Sequence, residues 1–99
     1  MNLNMQVDGE LGLIRVRGEL DQVDAPRLHA ATDMMLSDGV RDLVIDCHGI
    51  TFIDSAGLQA ILDAHTRAQS EGGTLTVRRP SPVARRLLEI TGLDEVLHA

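Results

Sequence analysis

Apolar and polar residues alternate over residues 3–7 (LNMQV), the pattern of a half-buried strand. Asp8-Gly9 is a turn signal, and residues 13–17 (LIRVR) predict the second arm of a hairpin. Residues 18–21 (GELD) predict a loop. Asp24 then stands where an N-cap belongs, with Pro26 in the first turn, where a missing N–H costs nothing. Leu28, Ala31, Thr32 and Met35 fall at i, i+3, i+4 and i+7, which predicts one buried helical stripe ending at Ser37-Asp38-Gly39.

Residues 42–47 (DLVIDC) contain the continuous apolar run Leu43-Val44-Ile45, expected of a strand covered on both faces. A loop over 48–54 leads to a second helix, with Leu58, Ile61, Leu62 and His65 at helical spacing and Gly72-Gly73 as its stop. Residues 74–78 (TLTVR) predict a strand. Ser81 and Pro82 open a third helix expected to turn Val83, Leu87 and Ile90 inward, and Gly92 follows its last turn. The tail DEVLHA predicts a short strand or turn on the sheet.

The resulting order, β-β-α-β-α-β-α, implies an α/β fold. Its sheet is mostly parallel, of four to five strands, with right-handed crossovers, an antiparallel N-terminal hairpin and helices packed on it. Functional loops in such sheets lie beyond the carboxyl ends of the strands. Residues 18–21 and 48–57 are therefore expected on one rim.

Composition narrows the function classes. Ninety-nine residues suffice for one small domain, and 43% apolar with 24% charged residues is ordinary globular usage. Phe52 is the only aromatic residue, so the core is aliphatic. Cys47 has no partner for an intrachain disulfide, no segment is apolar enough for a membrane span, and no leader is evident. A cytoplasmic protein is expected, without direct membrane insertion. A net charge of −6 with one aromatic residue argues against nucleic acid as a partner.

All nine basic residues are arginine. Without lysine there is no Walker-type phosphate loop. The carboxylates Glu19, Asp21, Asp46 and Asp54 also lack the lysine that a phosphoacceptor receiver site requires. Asp46 is expected as a solvated loop carboxylate. His29, His48, His65 and His98 show no metal-ligand spacing, and His65 sits in a core stripe. Ser55 lacks the flanking glycines of a nucleophile elbow. No enzyme, metal or cofactor is indicated. Arg78-Arg79 and Arg85-Arg86 form a basic cluster, either solvent-facing or a contact for an acidic partner or lipid headgroup.

The stretch FIDSAGL (52–58) is the most informative. Ser55 can cap the second helix, worth ~1 kcal/mol. Gly57 is then anomalous, because glycine inside a helix costs ~1 kcal/mol relative to alanine. With Ala56 it strips the helix start of side chains, which is expected to clear space for a partner, with Leu58 and Ile61 behind it as apolar docking area. A helix N-terminus also stabilises negative charge, so Ser55 is expected as a cap at which a phosphate would be structurally tolerated.

GELD (18–21), AP (25–26), LVID (43–46), GITFIDSAGL (49–58), the GG before TLTV (72–77) and SPVARRLLEITGLDEVL (81–97) occur in order. Together they resemble the STAS domain (sulfate transporter and anti-sigma factor antagonist) over 1–99, and within it the bacterial anti-sigma factor antagonists. The resemblance implies partner switching. The antagonist binds an anti-sigma factor that is also a serine kinase and so releases a sigma factor. The kinase, which holds the ATP, inactivates the antagonist by phosphorylation, and a PP2C-type phosphatase restores it. The phosphoacceptor so implied is Ser55, with Glu19, Asp21, Asp54, Ala56, Gly57, Leu58 and Ile61 as its partner-binding surroundings. Ala56 departs from the Ser or Thr common after the phosphoacceptor. DSAGL is also similar to the STAS subunit of ABC-type phospholipid transport complexes, which is not phosphorylated.

Overall fold

The computed structural model describes residues 1–99. Strands β1 (Asn2–Asp8) and β2 (Leu11–Leu20) form the predicted hairpin, with Asn2 opposite Arg17 and Asp8 opposite Leu11. Helix α1 (Ala25–Ser37), strand β3 (Asp42–Ile53), helix α2 (Ser55–Ser70), strand β4 (Thr74–Arg78), helix α3 (Pro82–Thr91) and a short helix α4 (Leu93–Val96) follow. The sheet has four strands in the order β1-β2-β3-β4, antiparallel at β1-β2 and parallel thereafter. Fold class and element order are as the pattern predicts.

The register aligns Ile14, Ile45 and Val77 in one row, all fully or nearly buried. α1 lies over this face: a Cβ on Gly12, beside Ile14, would strike Met35 of α1. The α1 stripe of Leu28, Ala31, Thr32 and Met35 is buried as predicted, and α2 packs against α1, β3 and β4. Arg67 ties the two helices together, donating to the Asp33 carboxylate at 2.6 Å and to the Ser37 hydroxyl at 3.0 Å.

The other sheet face is only partly covered. Leu13, Val44 and Thr76 share a row there and are half-buried, so β3 is not the doubly covered strand that its apolar run implied. β1 differs too. It is the free edge, where only Leu3 packs on the core, while Met5 and Val7 are exposed.

α3 turns a different stripe inward than expected. Ala84 and Leu88 are buried and Leu87 partly so, whereas Val83 is exposed and Ile90 is 70% exposed. At about 100° per residue, facing Ala84 and Leu88 inward rotates Ile90 to the far side. The predicted ends hold: Ser81 accepts the Ala84 amide at 3.4 Å, and Gly92 closes the helix at φ 74°, a left-handed conformation suited to glycine. The tail forms α4 rather than a strand. Leu97 is fully buried and its carbonyl accepts the Val77 amide at 2.9 Å, which shields the β4 edge.

Candidate functional site

Both β2 and β3 run further than their apolar patterns suggested. The segments 18–20 and 48–53, expected as loops, are strand, and Glu19 pairs with Phe52 and Leu20 with Ile53. Irregularities between Arg15 and Arg17 and between Gly18 and Glu19 let β3 carry extra residues against β2. Polar residues continue a strand here because backbone pairing holds it. The two strands end side by side, which places Asp21 and Asp54 on the shared rim that the topology predicted.

The helix that begins there is capped by Asp54, not by Ser55. Asp54 has extended backbone, and its Oδ1 accepts the Gly57 amide at 2.9 Å. Its Oδ2 accepts the Gln22 amide at 3.0 Å, pinning the β2–α1 loop to the start of α2. Ser55 is the first helical residue, exposed, with no hydrogen bond from its hydroxyl to the protein. The expectation that Ser55 caps is corrected, because Asp54 before it has the extended backbone of a cap and a carboxylate that reaches the third amide of the helix, while Ser55 is already helical. The amides of Ser55 and Ala56 in the first turn remain free of protein acceptors.

Asp21 knots the neighbouring loop, its Oδ1 accepting the Val23 and Asp24 amides, each at 3.0 Å. This Asx turn replaces the expected cap by Asp24, whose carboxylate instead meets the N-terminal ammonium at 3.3 Å and Arg27 at 3.6 Å. Glu19 is exposed and makes no ion pair.

Gly57 is buried. A Cβ there would collide with the Leu20 carbonyl oxygen and lie 2.8 Å from Leu20 Cγ. The space it clears belongs to the chain's own β2, so its expected role as clearance for a partner is corrected. Leu58 and Ile61 are likewise core residues, 6% and 1% exposed, and offer no docking area. The apolar surface comes from elsewhere. Val23 is 75% exposed on the pinned loop and Phe52 is 47% exposed beside Glu19. A groove of about 380 Å³ between α1 and α2 is lined by Gln22, Pro26, His29, Ala56 and Gln59 among others. Ala56 thus belongs to the accessible surface. Val23 and the Gln22 contact carried no signal in the sequence, because a loop's docking onto a distant helix start leaves no periodicity.

Asp46 is not a loop carboxylate. It lies within β3, 3% exposed, and accepts from Arg79 at 2.6 Å, Arg78 at 3.4 Å and the His48 amide at 3.0 Å. Burial pushes its carboxyl up. The Arg79 and His48 hydrogen bonds and the charges of Arg79 and Arg78 outweigh that and hold it below the ordinary 3.8. Arg78 and Arg79 are therefore structural partners as well as surface cations, while Arg85 and Arg86 are exposed. His65 is half-buried with Nδ1 unpaired, a packing position as predicted. Glu19, Asp21, Asp46 and Asp54 do not converge, and no three metal-ligating side chains come together anywhere in the chain. No helix is long and apolar enough to cross a membrane.

A four-stranded α/β domain with a capped, serine-bearing helix start at the rim of its sheet defines a class, and comparison with known proteins names it. Residues 3–98 match the family described as Mlab, STAS domain. The chain belongs to the STAS domain family. It is 30% identical over 100 residues to the anti-sigma-B factor antagonist of Staphylococcus aureus, covering 99% of this chain and 93% of that protein. The anti-sigma factor antagonist SpoIIAA in its unphosphorylated form has the same fold. It superposes with a TM-score of 0.86 at 23% identity, over 95% of this chain and 84% of that one. The Bacillus cell fate determinant SpoIIAA in the phosphorylated form superposes at 0.79 and 23% identity, over 95% and 86% of the two chains.

Proposed function

We propose that this chain is an anti-sigma factor antagonist that binds an anti-sigma factor through the rim around Ser55 and is released when Ser55 is phosphorylated. The observation that carries this reading is the Ser55 hydroxyl, exposed at the start of α2 and relieved of capping by Asp54. A hydroxyl engaged as a cap would be shielded from a kinase; this one is open to it. The relative from Staphylococcus aureus is named as such an antagonist, and SpoIIAA is known in unphosphorylated and phosphorylated forms.

The switch follows from electrostatics. A phosphate adds roughly −1.5 to −2 charge at a point already flanked by the Asp54 carboxylate. The free amides of the first turn hold it without refolding the helix. A partner docked over Val23, Phe52 and the α1–α2 groove would then have to desolvate that charge, and it dissociates. In this scheme the partner is an anti-sigma factor with serine kinase activity that supplies its own ATP, and a PP2C-type phosphatase resets the serine. The antagonist itself performs no catalysis.

The test is phosphorylation of the chain by its host's candidate serine kinase with ATP, followed by mass spectrometry, together with binding of Ser55→Ala and Ser55→Asp to that kinase. Modification at Ser55 and an affinity for Ser55→Asp at least tenfold below that of Ser55→Ala are expected. Equal affinities would overturn the switch. An unmodified Ser55 with every candidate kinase, in a chain that copurifies with an ABC transporter, would instead assign it to a transport complex.

A further inference from the structure

The sheet face opposite α1 and the recess beside it gather three of the chain's four arginines without a carboxylate partner; the fourth, Arg86, is exposed on α3. Arg15, Asp46 and Arg78 are neighbours in the register, and Arg17 follows two residues on along β2 on the same side. Elsewhere Arg27, Arg41 and Arg67 are each bonded to carboxylates. On this face Arg15, Arg17 and Arg85 have no carboxylate partner, although the chain carries a net charge of −6. The one acid in the row, Asp46, is buried and already shared between Arg78 and Arg79.

Asp46 acts here as an anchor. It holds Arg79 through a single Nη2 contact and Arg78 through another, while both side chains stay about half exposed. Their remaining N–H groups are left for another acceptor, on arms whose positions are already fixed. Arg79 also adopts φ 49°, a left-handed conformation uncommon for a residue with a side chain. Two recesses flank it. One of about 440 Å³ is lined by Val44, Thr76, Arg78 and Arg85, with His98 and Ala99 also on its border. The other, of about 230 Å³, is lined by Arg15 and Arg17. Arg79 borders both.

Planar guanidinium groups in fixed positions match the oxygens of phosphate pairwise. We propose that this face binds a small soluble ligand carrying two or more linked phosphates, seated across Arg79. The recesses suit a compact anion better than a flat membrane, and the arginine rows present no large apolar side chain for insertion into lipid. Phe52, the sole aromatic residue, lines neither recess, so recognition rests on the phosphates and not on a stacked base. The surface does not include Ser55, and its occupancy is independent of the switch proposed above.

The probe is inorganic tripolyphosphate, titrated at constant ionic strength and followed by calorimetry and by amide shifts in ¹⁵N-labelled protein. Shifts are expected at residues 15–17, 46–49, 76–79 and 85. The Arg17→Gln/Arg85→Gln double variant, at exposed positions without ion pairs, should bind about tenfold more weakly. Arg85→Gln alone, on the helix surface, should bind about threefold more weakly, and Ser55→Ala should match the wild type. Undiminished binding by the folded double variant, or shifts confined to the start of α2, would overturn the proposal. So would sedimentation with phosphatidylglycerol vesicles in the absence of any tripolyphosphate response.

Discussion

The carboxylate of Asp54 accepts the backbone amide of Gln22, thirty-two residues earlier in the chain, at 3.0 Å. The same side chain caps α2 through Gly57. One residue therefore sets both the position of the β2–α1 loop and the start of the helix that presents Ser55. Asp54→Ala should lose about 1–2 kcal/mol of stability from the cap and the loop contact. Asp54→Asn keeps one acceptor oxygen and should lose about half as much. Urea denaturation followed by circular dichroism distinguishes them, with the amide of Gln22 shifting in both.

Ser55 and Gly57 invert the expectation from helix propensity. Ser55 caps nothing, so Ser55→Ala should change stability by less than about 0.5 kcal/mol. Gly57→Ala improves the helix in isolation but drives a methyl into the Leu20 carbonyl. Overpacking of that kind costs about 1–3 kcal/mol, more than the propensity gain of about 1 kcal/mol. A destabilised Gly57→Ala beside a neutral Ser55→Ala is the expected pair in thermal melts. A stabilised Gly57→Ala would contradict the contact.

What the sequence disclosed follows the range of each physical signal. The α1 stripe, the hairpin turn and the Ser81 and Gly92 helix ends are local patterns, and the structure reproduces them. The shared rim was legible from topology alone. Errors arose where a distant contact decides the role. The sequence pattern cannot show why Gly57 is small, because the approach of Leu20 is not written near it, nor that Asp46 is buried and paired, because Arg78 at the end of β4 and Arg79 just after it reach it from a distant segment. Leu58 and Ile61 are apolar whether they serve a core or an interface, and only burial separates the two.

Cys47 should be inert in the folded protein. Burial, with the Asp46 charge adding to it, pushes its thiol up to about 12, so almost no thiolate exists at neutral pH. Iodoacetamide at pH 8 should leave the native chain unmodified. Alkylation should appear only as urea opens the fold, tracking the loss of circular dichroism. Rapid labelling under native conditions would mean that the strand around Cys47 opens without global unfolding.

Asp46 makes the fold acid-sensitive. Although burial alone would raise its pKa, Arg79, the His48 amide and Arg78 depress it below 3.8 in the folded state. A carboxyl with a depressed folded pKa contributes stability that is fully present above its unfolded value. That contribution is lost as pH falls through the folded value. Wild-type stability should therefore decline below about pH 4, and part of that decline belongs to Asp46. Asp46→Asn removes the titrating group and leaves Arg78 and Arg79 without their anion, so the variant should be about 1–2 kcal/mol less stable at pH 7. The gap between the two proteins should narrow as pH falls from 4 towards 2. Urea midpoints measured at several pH values check both parts, and a gap that is constant across this range would show that folding does not depress the Asp46 pKa.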